Sequence, residues 1–356
     1  MNATANIGSR GKVAALVAAV PFGASTPFAK ALVGDMTPFV LAGLMYSGAG
    51  LGLAVVVSVR RIFGRGGVSM PTRSQIPAIV AVVAIGGVLG PLFLMLGLRR
   101  TSAVAASLML NLESVFTALI AWTVCRESTS RRLIIGMLAN FAGGVVLAWS
   151  PQDVRLVSSG TLLVAAACVC WGIDNNLTRS LSALDPELLE AIKGLGAGAT
   201  SLACAAALSQ ALPSLAGVLS AAAVGLLGYG ISVALFIYGL SQLGTARTGA
   251  YFAVAPFVGA AVGNVVFREP VTWQIAVAAT LMAIGLYLHL SEQHAHTHEH
   301  EPLEHEHSHR HDEHHAHSHT EELDESDEHS HVHRHALLAH RHRHFPDLHH
   351  RHRHND

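Results

Sequence analysis

Residues 97–127 read GLRRTSAVAASLMLNLESVFTALIAWTVCRE, and residues 239–269, which begin 142 positions later, read GLSQLGTARTGAYFAVAPFVGAAVGNVVFRE. Both stretches are apolar, begin with Gly-Leu and end with Arg-Glu. Further positions correspond at offsets of 142 to 149 residues; these are Gly143 with Gly285, Gly23 with Gly172, Lys30 with Arg179 and Pro38 with Pro186. The chain therefore contains two copies of one unit.

Apolar runs with few charges fill the first 290 residues. Each run is about 20 residues long, which is enough to cross roughly 30 Å of hydrocarbon as a helix. The predicted helices cover residues 13–33, 38–59, 76–98, 101–124, 133–149, 161–181, 187–208, 215–240, 246–267 and 271–290. The pattern predicts an all-α integral membrane protein with ten transmembrane helices, the first of them retained and not cleaved as a signal peptide.

The two copies hold five predicted helices each, residues 1–150 and residues 151–290. An odd number of helices makes the second copy enter the membrane from the opposite side, so the copies are predicted to be inverted repeats. Basic residues in the links favour one side by eleven to four, which predicts that both termini are cytoplasmic in a bacterial-type inner (plasma) membrane.

The last part of the chain, residues 291–356, differs from the rest in every respect. All 24 histidines lie between His289 and His354, and the tail carries 6 Arg against 15 acids, whereas the chain up to Leu290 carries 17 Lys and Arg against 9 acids. So few apolar residues cannot build a core. The composition predicts a disordered, cytoplasmic tail rich in His, Asp and Glu.

Specific motifs place the helical part in a known family. They are Pro21-Phe22-Gly23 followed by Phe28 and Lys30, Asn111-Leu112-Glu113 followed by Phe116 to Trp122 and Arg126-Glu127, and Leu243-Gly244-Thr245-Ala246 through Ala255-Pro256-Phe257 to Arg268-Glu269-Pro270. Over residues 12 to 290 the chain resembles a ten-helix, EamA-type member of the drug/metabolite transporter superfamily. The resemblance implies solute transport, often export. Ser114 stands where the second copy has Pro256, the residue more usual in the family, so a kink in the fourth helix stays open.

Polar residues inside predicted membrane helices are the candidate substrate-binding groups, because a charge near a helix centre is costly and usually faces the protein interior. Glu113, close to Asn111, has two readings, substrate or proton binding and helix packing. The cluster Asp174, Asn175 and Asn176 has two as well, a water-filled cavity and a hydrogen-bonded contact between helices.

Three further polar positions carry alternatives. Lys30 and its counterpart Arg179 either anchor helix ends at the interface or gate an anionic or zwitterionic solute. Lys193 pairs with Glu190 one turn earlier or takes part in the site. Tyr251, with Tyr229 and Tyr238, either lines a cavity or packs between helices.

Histidines alternate with other residues along the tail. Neutral imidazole is a common ligand of zinc, nickel and copper, and alternating imidazoles on a flexible chain can chelate one cation. The candidate ligands are His294, His296, His298, His300, His305, His307, His309 and His311. Binding of zinc, nickel or copper by the tail is therefore predicted, while its role in the cell stays open between metal sensing, pH response, partner binding and none.

Three functions follow from these features. The first is a secondary transporter that exports a small organic metabolite or drug, with a metal-binding regulatory tail. The second is efflux or homeostasis of divalent nickel, cobalt or zinc, and the third is a membrane-anchored metal buffer without transport. The membrane half contains no histidine before His289, which favours the first. No enzymatic activity, required cofactor or nucleic-acid partner is expected. The expected partners are membrane lipid, a small-molecule solute and divalent metal ions. Whether the protein forms a homodimer stays open.

Overall fold

The computed structural model describes residues 2–63, 69–124, 130–149, 157–243, 245–290 and four short tail segments. The helices are α1 (Asn2–Leu32), α2 (Pro38–Ile62), α3 (Ile76–Val82), α4 (Gly90–Leu98), α5 (Ala103–Met109), α6 (Leu112–Thr123), α7 (Arg131–Ala148), α8 (Ser159–Arg179), α9 (Pro186–Ala207), α10 (Leu215–Gly225), α11 (Ser232–Leu243), α12 (Thr245–Phe252), α13 (Ala255–Phe267) and α14 (Trp273–Leu290). A short 3₁₀ turn, Arg73–Gln75, precedes α3.

Helices long and apolar enough to cross a membrane occur seven times within the described residues. They are Arg10–Leu32, Pro38–Ile62, Arg73–Leu98, Ala103–Thr123, Arg131–Ala148, Ser159–Arg179 and Leu215–Leu240. The three remaining predicted spans coincide with α9, whose first half carries Glu187, Glu190 and Lys193, and with the shorter apolar helices α13 and α14. The protein is thus a multi-pass, helical membrane protein, and the full set of ten spans stays a prediction.

Two of the long helical runs contain a π-helical segment at repeat-related positions. Val83–Leu89 joins α3 to α4, and Leu226–Ile231 joins α10 to α11. A π segment widens the helix by one residue per turn and often accompanies a functional site. Each of these segments contains glycines that lie against another helix.

The fourth and ninth predicted helices are both interrupted. The break between α5 and α6 falls at Leu110 and Asn111, and that between α12 and α13 falls at Ala253 and Val254, 143 residues later. The first break occurs without a proline. Its backbone closes through three-residue bonds, from Asn111 N to Leu108 O at 3.0 Å and from Glu113 N to Leu110 O at 3.1 Å. The question left open by Ser114 is therefore answered by a break in the helix.

Close packing of the helices depends on glycine, because a missing Cβ lets backbones approach. Helix α1 packs on α11 and α13, while α8 packs on α4 and α6. At Gly23 a Cβ would overlap the backbone of Ala255, and at the repeat-related Gly172 it would lie 2.9 Å from Phe116 Cβ. Glycine thus permits close helix approach at equivalent positions in both copies.

Large buried side chains concentrate where α2, α4, α5 and α8 meet. Long apolar side chains also cover the outside of the bundle, among them Val55, Leu138, Leu219 and Val265, which are 62%, 62%, 60% and 74% exposed. An apolar exterior of this extent suits a hydrocarbon surrounding.

The tail forms a compact unit of its own over Glu292–Arg353. Its described segments are four strands, β1 (His294–His300), β2 (Glu304–His309), β3 (His329–Arg334) and β4 (Leu338–His344). Strand β1 pairs with β4 and β2 with β3, both antiparallel. The predicted disorder of the tail is not confirmed; in the described segments, extended polar stretches satisfy their backbone groups by pairing with one another.

Candidate functional site

An ion pair between two helices marks the centre of the candidate site. Lys193 of α9 donates to Asp174 Oδ2 of α8 at 2.6 Å, and its ammonium lies 3.5 Å from Glu190 Oε1. The Asp174 side chain is 2% exposed and that of Lys193 is 12% exposed. The expected Lys193–Glu190 pair is present, but the shorter bond goes to Asp174 on the neighbouring helix.

The second predicted acid lies on the other side of α8. Asn175 Nδ2 donates to Glu113 Oε1 at 2.9 Å and to Thr117 Oγ1 at 3.1 Å, which links α8 to α6. Asn176 Nδ2 donates to the carbonyls of Thr117 and Gly172 at 3.0 and 2.8 Å. Asn175 is exposed, whereas Asp174 is buried. Residues 174–176 therefore contact two neighbouring helices: Asp174 pairs with Lys193 of α9, and Asn175 bonds to Glu113 of α6.

Asn111 forms its hydrogen bond within its own helical segment. Its amide donates to Leu108 O at 2.9 Å and lies 3.9 Å from the sulfur of Met282. The side chain is buried and satisfies a carbonyl at the break between α5 and α6. Asn111 thus shapes the segment that carries Glu113, and no hydrogen bond among the described residues joins it to that carboxylate.

The hydrogen bond of Lys30 lies at the helix ends, away from this cluster. The ammonium of Lys30 donates to Leu98 O at the end of α4. Leu98 lies twelve residues beyond Gly86, which borders Asp174, or about 18 Å along the helix. Tyr251 is half-buried on α12. Lys30 therefore joins the end of α1 to the end of α4, and both of its alternatives, anchoring at the interface and gating a solute, stay predictions.

Glycine and proline create an unusual acceptor beside the ion pair. In a π-helix the Gly86 carbonyl would accept from the residue five positions later, but Pro91 has no N–H. The Gly86 oxygen instead accepts from Trp171 Nε1 at 3.0 Å, and the Tyr46 hydroxyl lies 3.5 Å away. A Cβ on Gly86 would overlap the Asp174 carboxylate.

Aromatic rings continue from this point into the second copy. The centroids of Tyr46 and Tyr229 are 5.6 Å apart, those of Tyr229 and Phe22 are 5.8 Å apart, and those of Phe22 and Phe252 are 4.9 Å apart. Tyr46, Phe22 and Trp171 were not among the predicted site residues. A signal for two of them exists in the sequence, since Phe22-Gly23 and Trp171-Gly172 are repeat-related pairs.

Polar contacts also join helices at both ends of the bundle. At one end Arg60 donates to Glu187 and, at 3.2 Å, to Asp185. At the other end Glu269 accepts from the N–H groups of Ala103 and Val104 at 2.8 and 3.0 Å, which satisfies the first turn of α5.

Metal ligation by the tail stays a prediction. Strands β1 and β2 contain seven of the eight predicted ligands, from His294 to His309, and His311 lies outside the described residues. In the register His296 stands opposite His342 and His307 opposite His331. Within the described helices, no three His, Cys, Asp or Glu side chains form a group that could hold a metal ion.

Comparison with known proteins supplies the family. The model of the EamA-like transporter family matches residues 9–149 and again residues 158–291. An uncharacterized transporter of Methanothermobacter thermautotrophicus is 25% identical over 300 residues, which cover 78% of this chain and 85% of that protein. The uncharacterized transporter YyaM of Bacillus subtilis is 24% identical over 275 residues, covering 74% and 88%.

A solved crystal structure has the same fold. It superposes with a TM-score of 0.56 and 19% identity, covering 79% of this chain and 96% of the other. At this identity the likeness concerns the fold alone. Since one family model matches both halves of the helical part, the chain belongs to the EamA-like transporter family.

Proposed function

We propose that this protein is a secondary transporter that exports a small organic metabolite or drug from the cytoplasm. The observation that carries the proposal is the polar cluster of Asp174, Lys193, Glu113 and Asn175 within helices whose outer surface is apolar. Ionisable groups at such a depth are costly to keep and are characteristic of solute and proton pathways. The family membership of both halves agrees with transport.

The proposal includes ten spans arranged as two inverted halves, residues 1–150 and 151–290. Equivalent helix contacts support it. Gly86 faces Asp174 and Gly228 faces Ser25, and both members of these pairs are related by the repeat offsets. Inverted halves that exchange contacts are a common basis of alternating access to a central site. Residues 9–149 and 158–291 match the same family model, in agreement with this division.

The two ends of the bundle have the chemistry required of gates. Arg60 with Asp185 and Glu187 joins α2 to the start of α9, and Glu269 joins the end of α13 to α5. We assign the Arg60 end to the cytoplasm, because the basic links favour that side together with both termini. In this proposal the solute reaches the cluster when one of these sets of contacts opens.

The tail, residues 291–356, is proposed as a cytoplasmic, metal-binding regulator of the transporter. Its support is compositional: eight alternating histidines between His294 and His311 can chelate zinc, nickel or copper. Efflux of a divalent metal remains the second candidate function, and it also rests on the tail.

A transport assay separates these candidates. Cells that lack the protein are compared with cells that express the full chain or a chain ending at Glu292, across a panel of labelled metabolites and drugs and across added nickel, cobalt and zinc. Organic-solute export predicts retention of at least one organic compound without the protein, and faster export with either chain. Metal sensitivity with unchanged retention of all organic compounds would replace this proposal by metal efflux.

A second assay addresses the proton. Glu113→Gln in proteoliposomes should slow transport driven by an imposed pH gradient, with Asp35→Asn, an exposed acid outside the cluster, as the matched control. Equal rates for Glu113→Gln and the unaltered chain at every pH would remove Glu113 from proton coupling.

A further inference from the structure

Acidic groups outnumber basic groups in the cluster. Asp174, Glu190 and Glu113 are balanced by a single lysine, Lys193, and Glu113 is close enough to interact electrostatically with both Asp174 and Lys193. When all four groups are ionised the formal charge is −2. An excess of negative charge inside a bilayer is costly unless a proton or another cation neutralises it. The cluster therefore suits a positively charged guest better than a negatively charged one.

The two oxygens of the Asp174 carboxylate differ in their surroundings, and the Thr178 hydroxyl, one turn along α8, also interacts with this carboxylate. Asp174 Oδ2 accepts from Lys193, but Oδ1 is buried and accepts no hydrogen bond from the described residues. A buried carboxylate oxygen left without a donor loses the interaction that water would give it. This oxygen can accept a further hydrogen bond beside the ion pair.

Lys193 has two acids within reach. Its ammonium already lies between two acids, at 2.6 Å from Asp174 and 3.5 Å from Glu190, and its side chain is partly exposed. Gly87 packs against the same helix, since a Cβ there would lie 2.6 Å from Ala197 Cβ and 3.6 Å from Lys193 Cγ. A shift of the ammonium toward Glu190 would free the second Asp174 oxygen.

Aromatic groups adjoin the same carboxylate. Trp171 and Tyr46 both reach the Gly86 carbonyl, and Gly86 borders Asp174. Tyr229 stands next to Tyr46. Aromatic faces attract organic cations and provide contact area for their apolar parts.

We propose that the site around Asp174 binds a small organic ammonium ion. Its N–H groups donate to Asp174, its apolar part lies against Trp171 and Tyr46, and Lys193 moves toward Glu190 as the guest enters. In the empty site Lys193 acts as a tethered substitute for the guest's positive charge. This inference rests on the proposed transport function and adds the charge class of the solute.

Binding of three probes of similar size but different charge tests the inference. Full-length protein in lipid nanodiscs is titrated calorimetrically at neutral pH with phenethylammonium, 3-phenylpropanol and 3-phenylpropionate. The ammonium ion should bind at least about tenfold more tightly than the neutral and anionic probes, as one desolvated charge contact provides. Stronger binding of the anion, equal binding of all three, or binding of none would overturn the inference.

Two variants identify the group responsible, with Asp35→Asn as the control for loss of an acid. Asp174→Asn should reduce ammonium binding to the level of the alcohol. Glu190→Gln should weaken it by a smaller factor, because the displaced Lys193 loses its second partner. If Asp174→Asn does not fold, Glu190→Gln alone decides, and unchanged ammonium affinity in that variant contradicts the mechanism.

Transport data keep this inference separate from the proposed function. Export of neutral or anionic solutes without ammonium binding would leave the transporter intact and remove the cation site. Absence of export for every organic solute would remove the proposed function, whatever the probes do.

Discussion

Two helix contacts at repeat-related positions use the same backbone and different side chains. In one, Asp174 of α8 lies against Gly86 of the first π segment; in the other, Ser25 of α1 lies against Gly228 of the second. The glycine, which permits close approach, is present in both. The side chain that faces it is a paired carboxylate in one contact and a hydroxyl in the other. Packing has thus been retained in both copies while charge occurs in one.

The residues around the two contacts also differ in charge. Gly87 and Lys193 flank the Asp174 contact, whereas the corresponding positions in the other copy hold Tyr229 and Met45. One contact is flanked by a charged side chain, and the other by an aromatic ring and an apolar side chain. The comparison teaches that a duplicated architecture can keep the same packing at two equivalent contacts while only one of the two contacts contains an ion pair.

The strongest test of this asymmetry removes the cation. Lys193→Met leaves Asp174 buried without its partner, and we expect a loss of about 3 to 5 kcal/mol of stability. Apparent melting temperature in detergent provides the measurement. Asp174→Asn combined with Lys193→Met should recover part of the loss, since the unpaired charge is gone. No destabilisation by Lys193→Met would mean that the pair contributes nothing.

A second test adds one methyl group to each contact. Gly86→Ala and Gly228→Ala should each cost about 1 to 3 kcal/mol through overpacking, because a Cβ would overlap Asp174 in the first case and lie 2.5 Å from Ser25 Cβ in the second. Only Gly86→Ala should also change which solutes are exported. Equal changes of solute preference in both variants would contradict the division between packing and chemistry.

A smaller effect is expected from the ring beside the ion pair. Trp171→Phe removes the Nε1 donor to the Gly86 carbonyl and should destabilise the protein by about 1 kcal/mol, the usual net value of one hydrogen bond. Phe22, the repeat counterpart of Trp171, offers the matched variant Phe22→Leu, which retains the backbone bonds. A melting temperature unchanged in Trp171→Phe would show that this bond is replaced without cost.

The smallest effect belongs to the uncharged contact. Ser25 Oγ donates within its own helix to Phe22 O at 2.6 Å and lies beside the Tyr229 hydroxyl, so Ser25→Ala should destabilise the protein by about 0.5 kcal/mol, the low end for one hydrogen bond. Transport rates in proteoliposomes should match those of the unaltered chain. A loss of transport comparable to that of Asp174→Asn would give both copies an equal share of the chemistry.

Helix positions were predictable because hydropathy alone determines them. The predicted span 38–59 became Pro38–Ile62, and 161–181 became Ser159–Arg179. The sequence also identified Glu113 and Asn175 as polar groups in the membrane, and the two are hydrogen-bonded. Burial preferences are local properties, and one chain suffices to read them.

The partners of these groups were harder to predict. Helical spacing predicted a pair between Lys193 and Glu190, but the shorter contact of Lys193 is to Asp174 on the neighbouring helix. That contact depends on how closely the two helices approach each other. The helix break at Asn111 contains no proline, so the sequence has no signal for it. The π segments depend on how their helices pack against neighbouring helices. The tail strands depend on pairing between segments about 20 to 50 residues apart. Each of these features is a property of tertiary contact.

The acceptor at Gly86 has a consequence for genetics. The Gly86 carbonyl oxygen belongs to the main chain, so every substitution of Gly86 retains it. Substitutions of Gly86 would therefore report only the steric effect of the new side chain. Pro91 is the residue that sets this carbonyl free, since it has no N–H to offer. Replacing Pro91 with Ala would supply the missing donor and could silence the acceptor from a distance of five residues. A deep scan of the protein would then report Pro91 as sensitive although it touches neither acid.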